Sequence, residues 1–341
     1  MFKTFTSKSF AQQCLLLTSL MTGCAGLSNG THIQPVSRIQ PVAENLGQPM
    51  IEYGRENVVV DSIGWVVGIP AKITLWNRRA SNHQVSEETV AKIEEHLNVY
   101  GLHDTKVRIN QYDPMGEWQR LRENKHMHPG WKYSFGTLQT LGYTILPGRI
   151  LGGDGYNPYT NTVNVYSDIP SIGMTETAYA YDISQRQHPG LYTTTQSIPL
   201  VNMYHKTLAT DRTVNYLAEH GTPEELKEAY NVLYPRYGQA MGSSVGSYVE
   251  VASPIGFLDV TGLIAGHAYG RYQSAQVDKY QAQVKAEQEL ANPLSPESQL
   301  GPVNEDKISF VSHTEEVPPA DIRGQSPSVY VPLEDTKKLF K

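Results

Sequence analysis

The chain has 341 residues, enough for one sizeable domain with appendages or for two small domains. Charged residues make up 18% of it, below the share of about 25% usual in soluble domains, and the net charge is −6 with a pI near 6.0. No basic block occurs, so no nucleic-acid partner is expected.

The first residues read as a targeting segment. Lys3 and Lys8 supply a positive start, and the apolar run from Cys14 to Met21 is too short to span a bilayer permanently. It ends in Leu20-Met21-Thr22-Gly23-Cys24, which resembles a bacterial lipobox with Met at an unusual position. Residues 1–23 are therefore expected to be a lipoprotein signal peptide, with Cys24 lipidated and membrane lipid as its partner; a plain secretory signal is the alternative. Ala25 is not the Asp that retains many lipoproteins in the inner membrane, which points to the outer membrane, facing the periplasm. With Cys14 removed and Cys24 acylated, no cysteine remains for a disulfide.

Residues 24–57 are rich in Gly, Pro, Ser and Asn and read as a flexible tether. From Val58 to Trp76 the chain is mostly apolar but interrupted by Asp61, Pro70 and Lys72. That excludes a standard span and suggests a surface segment packed on lipid or on the domain. Ser86 caps a helix with Val90, Ile93 and Leu97 on one face and Gly101 at its end. Thr105–Tyr112 reads as a strand, Gly116–Asn124 as a short helix, and Lys132–Leu146 as one or two strands broken near Gly136 and Gly142. An edge strand (Thr162–Tyr166) and a helix after Pro170 follow. Pro199–Leu217 is a further helix with Leu200, Met203, Tyr204 and Leu208 on one face. Thr222-Pro223-Glu224-Glu225 is a capping box opening a helix to about Leu233. This order of elements predicts an α+β fold.

Two glycine runs come next: Gly238, Gly242 and Gly246, then Gly262, Gly266 and Gly270. Glycine at every fourth position makes a flat helix stripe on which two backbones approach closely. A helical hairpin is expected, self-packed or half-inserted in lipid, and a homo-oligomer could form through it. Ser274–Leu290 reads as a polar helix, and the Pro-, Glu- and Ser-rich remainder as disordered. His126-Met127-His128 could chelate a metal, although lone histidines are more often structural.

The chemistry-bearing stretch is Asn157–Asp182: a strand, a turn at Asp168–Ser171, then a helix carrying Thr175-Glu176-Thr177-Ala178-Tyr179. A zinc peptidase places His-Glu-x-x-His on such a helix, two imidazoles one turn apart gripping the metal and the Glu serving as general base. Here the Glu is kept and both imidazoles are gone. This segment, with Ile63–Trp76, Val107–Pro114, Gly116–Arg120 and Leu146–Gly153, resembles a family of bacterial envelope metallopeptidases of the gluzincin (zincin-like) type.

The resemblance covers roughly residues 58–272 and implies a zincin-like core over residues 58–233: a mixed sheet, the active-site-type helix and backing helices. The glycine hairpin would occupy 234–273, and the polar helix and tail 274–341. The family's third ligand is a Glu on a following helix, and Lys206, within His205–Asp211, takes that position. The ligand positions thus hold Thr175, Tyr179 and Lys206, which leaves no metal and no cofactor expected; a protonated ammonium repels a dication. Lys206 paired with Glu176 would restore the charge balance that zinc provides, the plainer alternative being an exposed lysine beside ordinary helix residues. The expectation is a lipid-anchored pseudopeptidase that binds or scaffolds a peptide or envelope protein, with Glu176 as a vestigial base. The alternatives are an active metallopeptidase with atypical ligands, using Glu176 with His205, and a structural glycine-zipper protein.

Overall fold

In a computed structural model the described residues are 50–55, 57–151, 153–249 and 256–291. The signal segment, Cys24, most of the tether and the tail after residue 291 lie outside them. The described chain is an α+β structure, mostly helical around one small sheet.

The sheet holds β1 (Met50–Tyr53), β2 (Lys106–Ile109), β3 (Gly155–Asn157) and β4 (Thr162–Val165) in the order β1-β2-β4-β3. The first three in space are parallel and β3 runs antiparallel to β4. Two sequence expectations change here. Met50–Tyr53 is not tether, because it pairs residue for residue with β2; a four-residue strand carries too short an alternation to be read alone. Thr162–Val165 is not an edge strand either, since β2 and β3 cover both its sides.

One face of the sheet packs on α3 (Glu87–Val99): Val107, Ile109, Val163 and Val165 meet Val90, Ile93 and Leu97, all buried. Ser86 caps α3 through Thr89 N at 3.3 Å, and Gly101, at φ +65°, stands just beyond its end. Asp168 ties this cap to the next strand end. Its Oδ1 accepts from Ser86 N (2.9 Å), Ser86 Oγ (2.6 Å) and Thr89 Oγ1 (2.6 Å). Burial alone would raise its carboxyl; these bonds and Arg79 outweigh burial and hold it below the usual range.

The opposite face is polar. Arg108, fully buried, points from β2 to Glu117 (2.7 Å) on α4 (Pro114–Glu123). The segment expected as strands is helical: a π-turn (Lys132–Gly136) leads into α5 (Thr137–Ile145), and α6 (Gly148–Leu151) follows. Leu138, Leu141 and Ile145 recur at helical spacing, and neither glycine interrupts them. Gly136 only lets the turn close on Leu121 and Tyr159.

Before all of these, α1 (Val58–Val67) and α2 (Ile69–Leu75) form an apolar pair bent by 47°. Among the described residues no single helix is long and apolar enough to cross a membrane, although this bent pair passes on length and composition.

The remaining helices are α7 (Pro170–Ser184), α8 (Pro189–Thr195), α9 (Pro199–His220), α10 (Pro223–Val249) and α11 (Phe257–Ala291). Gly173 on α7 sits against Ile93 where a side chain would overlap it, so α7 lies close on α3. The buried face of α9 is Met203, Ala209, Thr213, Val214 and Leu217, while Leu200 and Tyr204 are exposed. The expected apolar stripe is thus only partly the packed one, because α9 turns its polar small residues toward α7.

The capping box is present, Thr222 N donating to Glu225 Oε2 at 2.7 Å. The helix it opens does not end at Leu233, however; α10 runs on to Val249 through Pro235. Likewise Ser274–Leu290 is no separate helix but the second half of α11. The expected hairpin is self-packed. A β-carbon on Gly238 would strike the Gly262 carbonyl, one on Gly242 the Leu258 carbonyl, one on Gly266 Tyr234 and one on Gly270 Tyr230. Gly246, also buried, continues the stripe.

Candidate functional site

Glu176, Thr175 and Tyr179 all project from α7, which reaches its position because β4 ends at Val165, a short turn through Asp168 follows, and Pro170 starts the helix in its first turn. Thr175 is turned to the neighbouring helix. Its Oγ1 donates to the Ser171 carbonyl (2.8 Å) and lies 3.2 Å from Thr213 Oγ1 on α9. Tyr179, one turn on, packs edge-on against the His205 ring with centroids 3.8 Å apart, and its hydroxyl donates to Gln196. The side chains of Thr175 and Tyr179 therefore both have protein partners.

Glu176 is largely buried, and its nearest cation is Arg236 on α10, with Nη2 3.4 Å from Oε1. Lys206 makes no ion pair with it within 4.0 Å, which corrects the expected Lys206–Glu176 contact. The two still feel each other. Burial pushes the Glu176 carboxyl above its ordinary value, opposed by Arg236, then Lys206, and by a backbone hydrogen bond from Tyr156. Burial lowers the Lys206 ammonium, opposed by Glu176. Lys206 is exposed by surface area, yet it sits in a recess crowded enough to cost its ammonium hydration. Arg236 was not legible from the sequence, since it lies far along the chain in a stretch whose glycines dominate the pattern.

A second polar cluster lies one turn further along α7. Asp182, buried, accepts from Tyr192 (2.8 Å) and from Arg186 (2.6 Å), with His205 Nδ1 at 3.2 Å and Arg212 at 3.4 Å. Burial would raise its carboxyl, but the bonds from His205 and Tyr192 with Arg186 bring it down to about 2. This fixes the His205 ring and leaves its Nε2 buried with no protein partner.

Beside these groups opens a cleft of about 370 Å³, lined among others by Tyr156, Tyr159, Tyr179, Thr193 and Gln196. Thr193 Oγ1 and Gln196 Nε2 are buried there without a protein partner. The free edge of the sheet along this cleft belongs to β3, not to β4. That edge is Gly155–Asn157, and the backbone of its central residue, Tyr156, is already bonded to Glu176.

His126 and His128 do not converge. His126 Nε2 meets Asp104 (3.1 Å) at the surface, and His128 Nδ1 accepts from Gly130 N. Among the described residues no three His, Cys, Asp or Glu side chains gather as a metal-binding group. Cys24 lies outside the described residues. Comparison of the chain with family models, curated proteins and solved structures finds no match.

Proposed function

We propose that the chain is a lipid-anchored envelope protein, held through Cys24 at the outer membrane, whose zincin-like domain binds or scaffolds peptide segments without hydrolysing them. The observation that carries this reading is the environment of Glu176. At the family's two imidazole positions Thr175 and Tyr179 are committed to Thr213 and Gln196, and the charge facing Glu176 comes from Arg236 and Lys206. Two cations beside one carboxylate oppose a zinc dication, and hydroxyls with pKa near 10 or above are poor zinc ligands. The cleft next to it offers tyrosine walls and the unpartnered Thr193 and Gln196 to meet backbone groups of a peptide, beside the edge strand β3, whose Tyr156 backbone is already bonded to Glu176.

A second reading has one observation in its favour. Asp182 orients His205 and leaves Nε2 unpartnered, which is how a carboxylate prepares an imidazole for a metal. In that reading His205 and Glu176 build an atypical metallopeptidase centre. A structural role for the glycine hairpin is the third reading. Its glycine stripes already face each other within the chain, so a homo-oligomer would have to use its outer faces.

Elemental analysis separates the first two readings. The Cys24→Ser protein, exposed to zinc and dialysed, is expected to retain less than roughly a tenth of an equivalent. Near-stoichiometric zinc, lost on Glu176→Ala or His205→Ala, would overturn the pseudopeptidase reading and establish the second one.

A further inference from the structure

We propose that the outer face of α1 and α2 is a docking surface for an anionic phospholipid bilayer, on which the domain lies rather than spans. The case starts from the two charged residues in this stretch, both of which turn inward. Asp61 takes a two-pronged contact from Arg149, Nε at 2.7 Å and Nη2 at 2.8 Å, and accepts from Asn110 at 3.1 Å. Lys72 is buried and donates to the carbonyls of Trp65 (3.1 Å) and Ser81 (2.8 Å). With these charges satisfied inside, the outward face is left to Val59, Ile63, Trp65, Val66, Ile73 and Trp76, each 46–69% exposed. A contiguous apolar face of this kind is uncommon on a soluble domain and marks a docking site.

Two observations, and the anchoring proposed above, favour a bilayer over a protein partner. The rim is cationic: Arg55 precedes α1, Arg78 follows α2, and Arg271 lies over the Trp76 ring at 4.4 Å, all three exposed. Its neighbour Arg79 is already paired with Asp168 and Glu228. An apolar face with a basic rim complements a headgroup layer carrying negative charge. Trp65 and Trp76 are amphipathic rings of the type that settles at the membrane–water boundary. The third argument rests on the anchoring proposed above: β1 and α1 are the first described elements after Cys24, so an acyl anchor there keeps the domain within a tether's reach of lipid. The ties at Asp61 and Lys72 keep both helices on the domain, which explains why the pair lies along the surface.

The test uses residues 25–341, so that neither the apolar signal segment nor an acyl group contributes. It is mixed with vesicles of phosphatidylethanolamine and phosphatidylglycerol, and separately with phosphatidylcholine vesicles. Co-sedimentation is expected with the anionic vesicles, about tenfold weaker with the neutral ones. Ile63→Ser combined with Ile73→Ser should weaken it by about a hundredfold. Should that variant fail to fold, lipids brominated near the headgroup decide on the unsubstituted face: they should quench tryptophan fluorescence, and less so in Trp65→Phe. Absence of binding to either vesicle overturns the proposal, as does binding unchanged in the folded double variant. Self-association without vesicle binding also overturns it and assigns the face to a second copy. Failure of the anchoring alone, seen as an unacylated Cys24 by mass spectrometry, would leave this vesicle binding intact.

Discussion

The α/β core and the C-terminal helix pair are packed with opposite materials. In the core, helices meet the sheet through branched side chains, as Ile93 and Leu97 do against Val107 and Val163, and buried charges such as Arg108 and Asp168 have specific partners. Along the glycine stretches of α10 (238–246) and α11 (258–270) there is almost no side chain to interpose, because glycines place one backbone against the carbonyls of the other. A side-chain core can relax around a small change. A backbone contact cannot, since nothing between the helices is free to rotate. The hairpin should therefore tolerate substitution at its seam least, although it looks the simpler of the two.

The sharpest break of that comparison is Gly238→Leu. The new side chain must displace the Gly262 carbonyl, and we expect a loss of about 4 kcal/mol or more, above the ordinary overpacking range. Denaturant unfolding would read the loss. Hydrogen exchange should show α10 and α11 opening while the sheet stays protected, and equal exchange in both regions would mean that they unfold as one.

In the core the corresponding lesion is Glu117→Ala, which removes the nearest and most buried carboxylate from the Arg108 guanidinium and leaves it Asp113 at 3.5 Å and Glu52 at 3.7 Å. The expected cost is about 3–4 kcal/mol. A loss under about 1 kcal/mol, near the worth of an exposed pair, would show that Asp113, Glu52 or water takes over Arg108.

Acid should also attack the core before the hairpin. His96 is buried beside Thr177, and burial with His220 nearby lowers it from 6.5 to about 3. Asp182 is lowered from 3.8 to about 2. Both folded values lie below the unfolded ones, so the stability they give is fully present above the unfolded pKa and is lost as pH falls. For His96 the window runs from about 6.5 down to about 3, and for Asp182 from about 3.8 down to about 2. Urea midpoints should fall steadily across this range, with most of the loss between about pH 6.5 and about pH 3 where His96 is forced to charge. Midpoints that hold constant down to about pH 4 would contradict a neutral, buried His96.

The smallest effect runs the other way. Gly142 lies inside α5 with open space around its Cα, so Gly142→Ala should stabilise by about 0.5–1 kcal/mol. Thermal unfolding of this variant, set against Gly238→Leu, separates a glycine used for contact from one that is not.

Local chemistry made several elements legible in the sequence. The caps at Ser86 and Thr222, the prolines at helix starts and the period of Val90, Ile93 and Leu97 act within one turn, and their signals survive in any context. The glycine stripes likewise announced a close helix pair, because only glycine permits that approach. The α+β class followed from the order of such elements. Helix α5 was misread because two glycines outweighed the apolar period, and β1 because four residues carry no period of their own.

At the candidate site the sequence determined which groups α7 presents: Thr175, Glu176 and Tyr179 at helical spacing on one element. What those groups meet depended on α8, α9 and α10 arriving from elsewhere in the chain. Arg236 rather than Lys206 reaches Glu176, Gln196 takes the Tyr179 hydroxyl, and Asp182 gathers His205 with two arginines. The inward turn of Asp61 and Lys72 depended in the same way on Arg149 and on the Ser81 carbonyl. Backbone preference acts over a few residues and is written in the sequence near it. Charge pairing and burial act through space between segments far apart in the chain, so only the tertiary structure decided them.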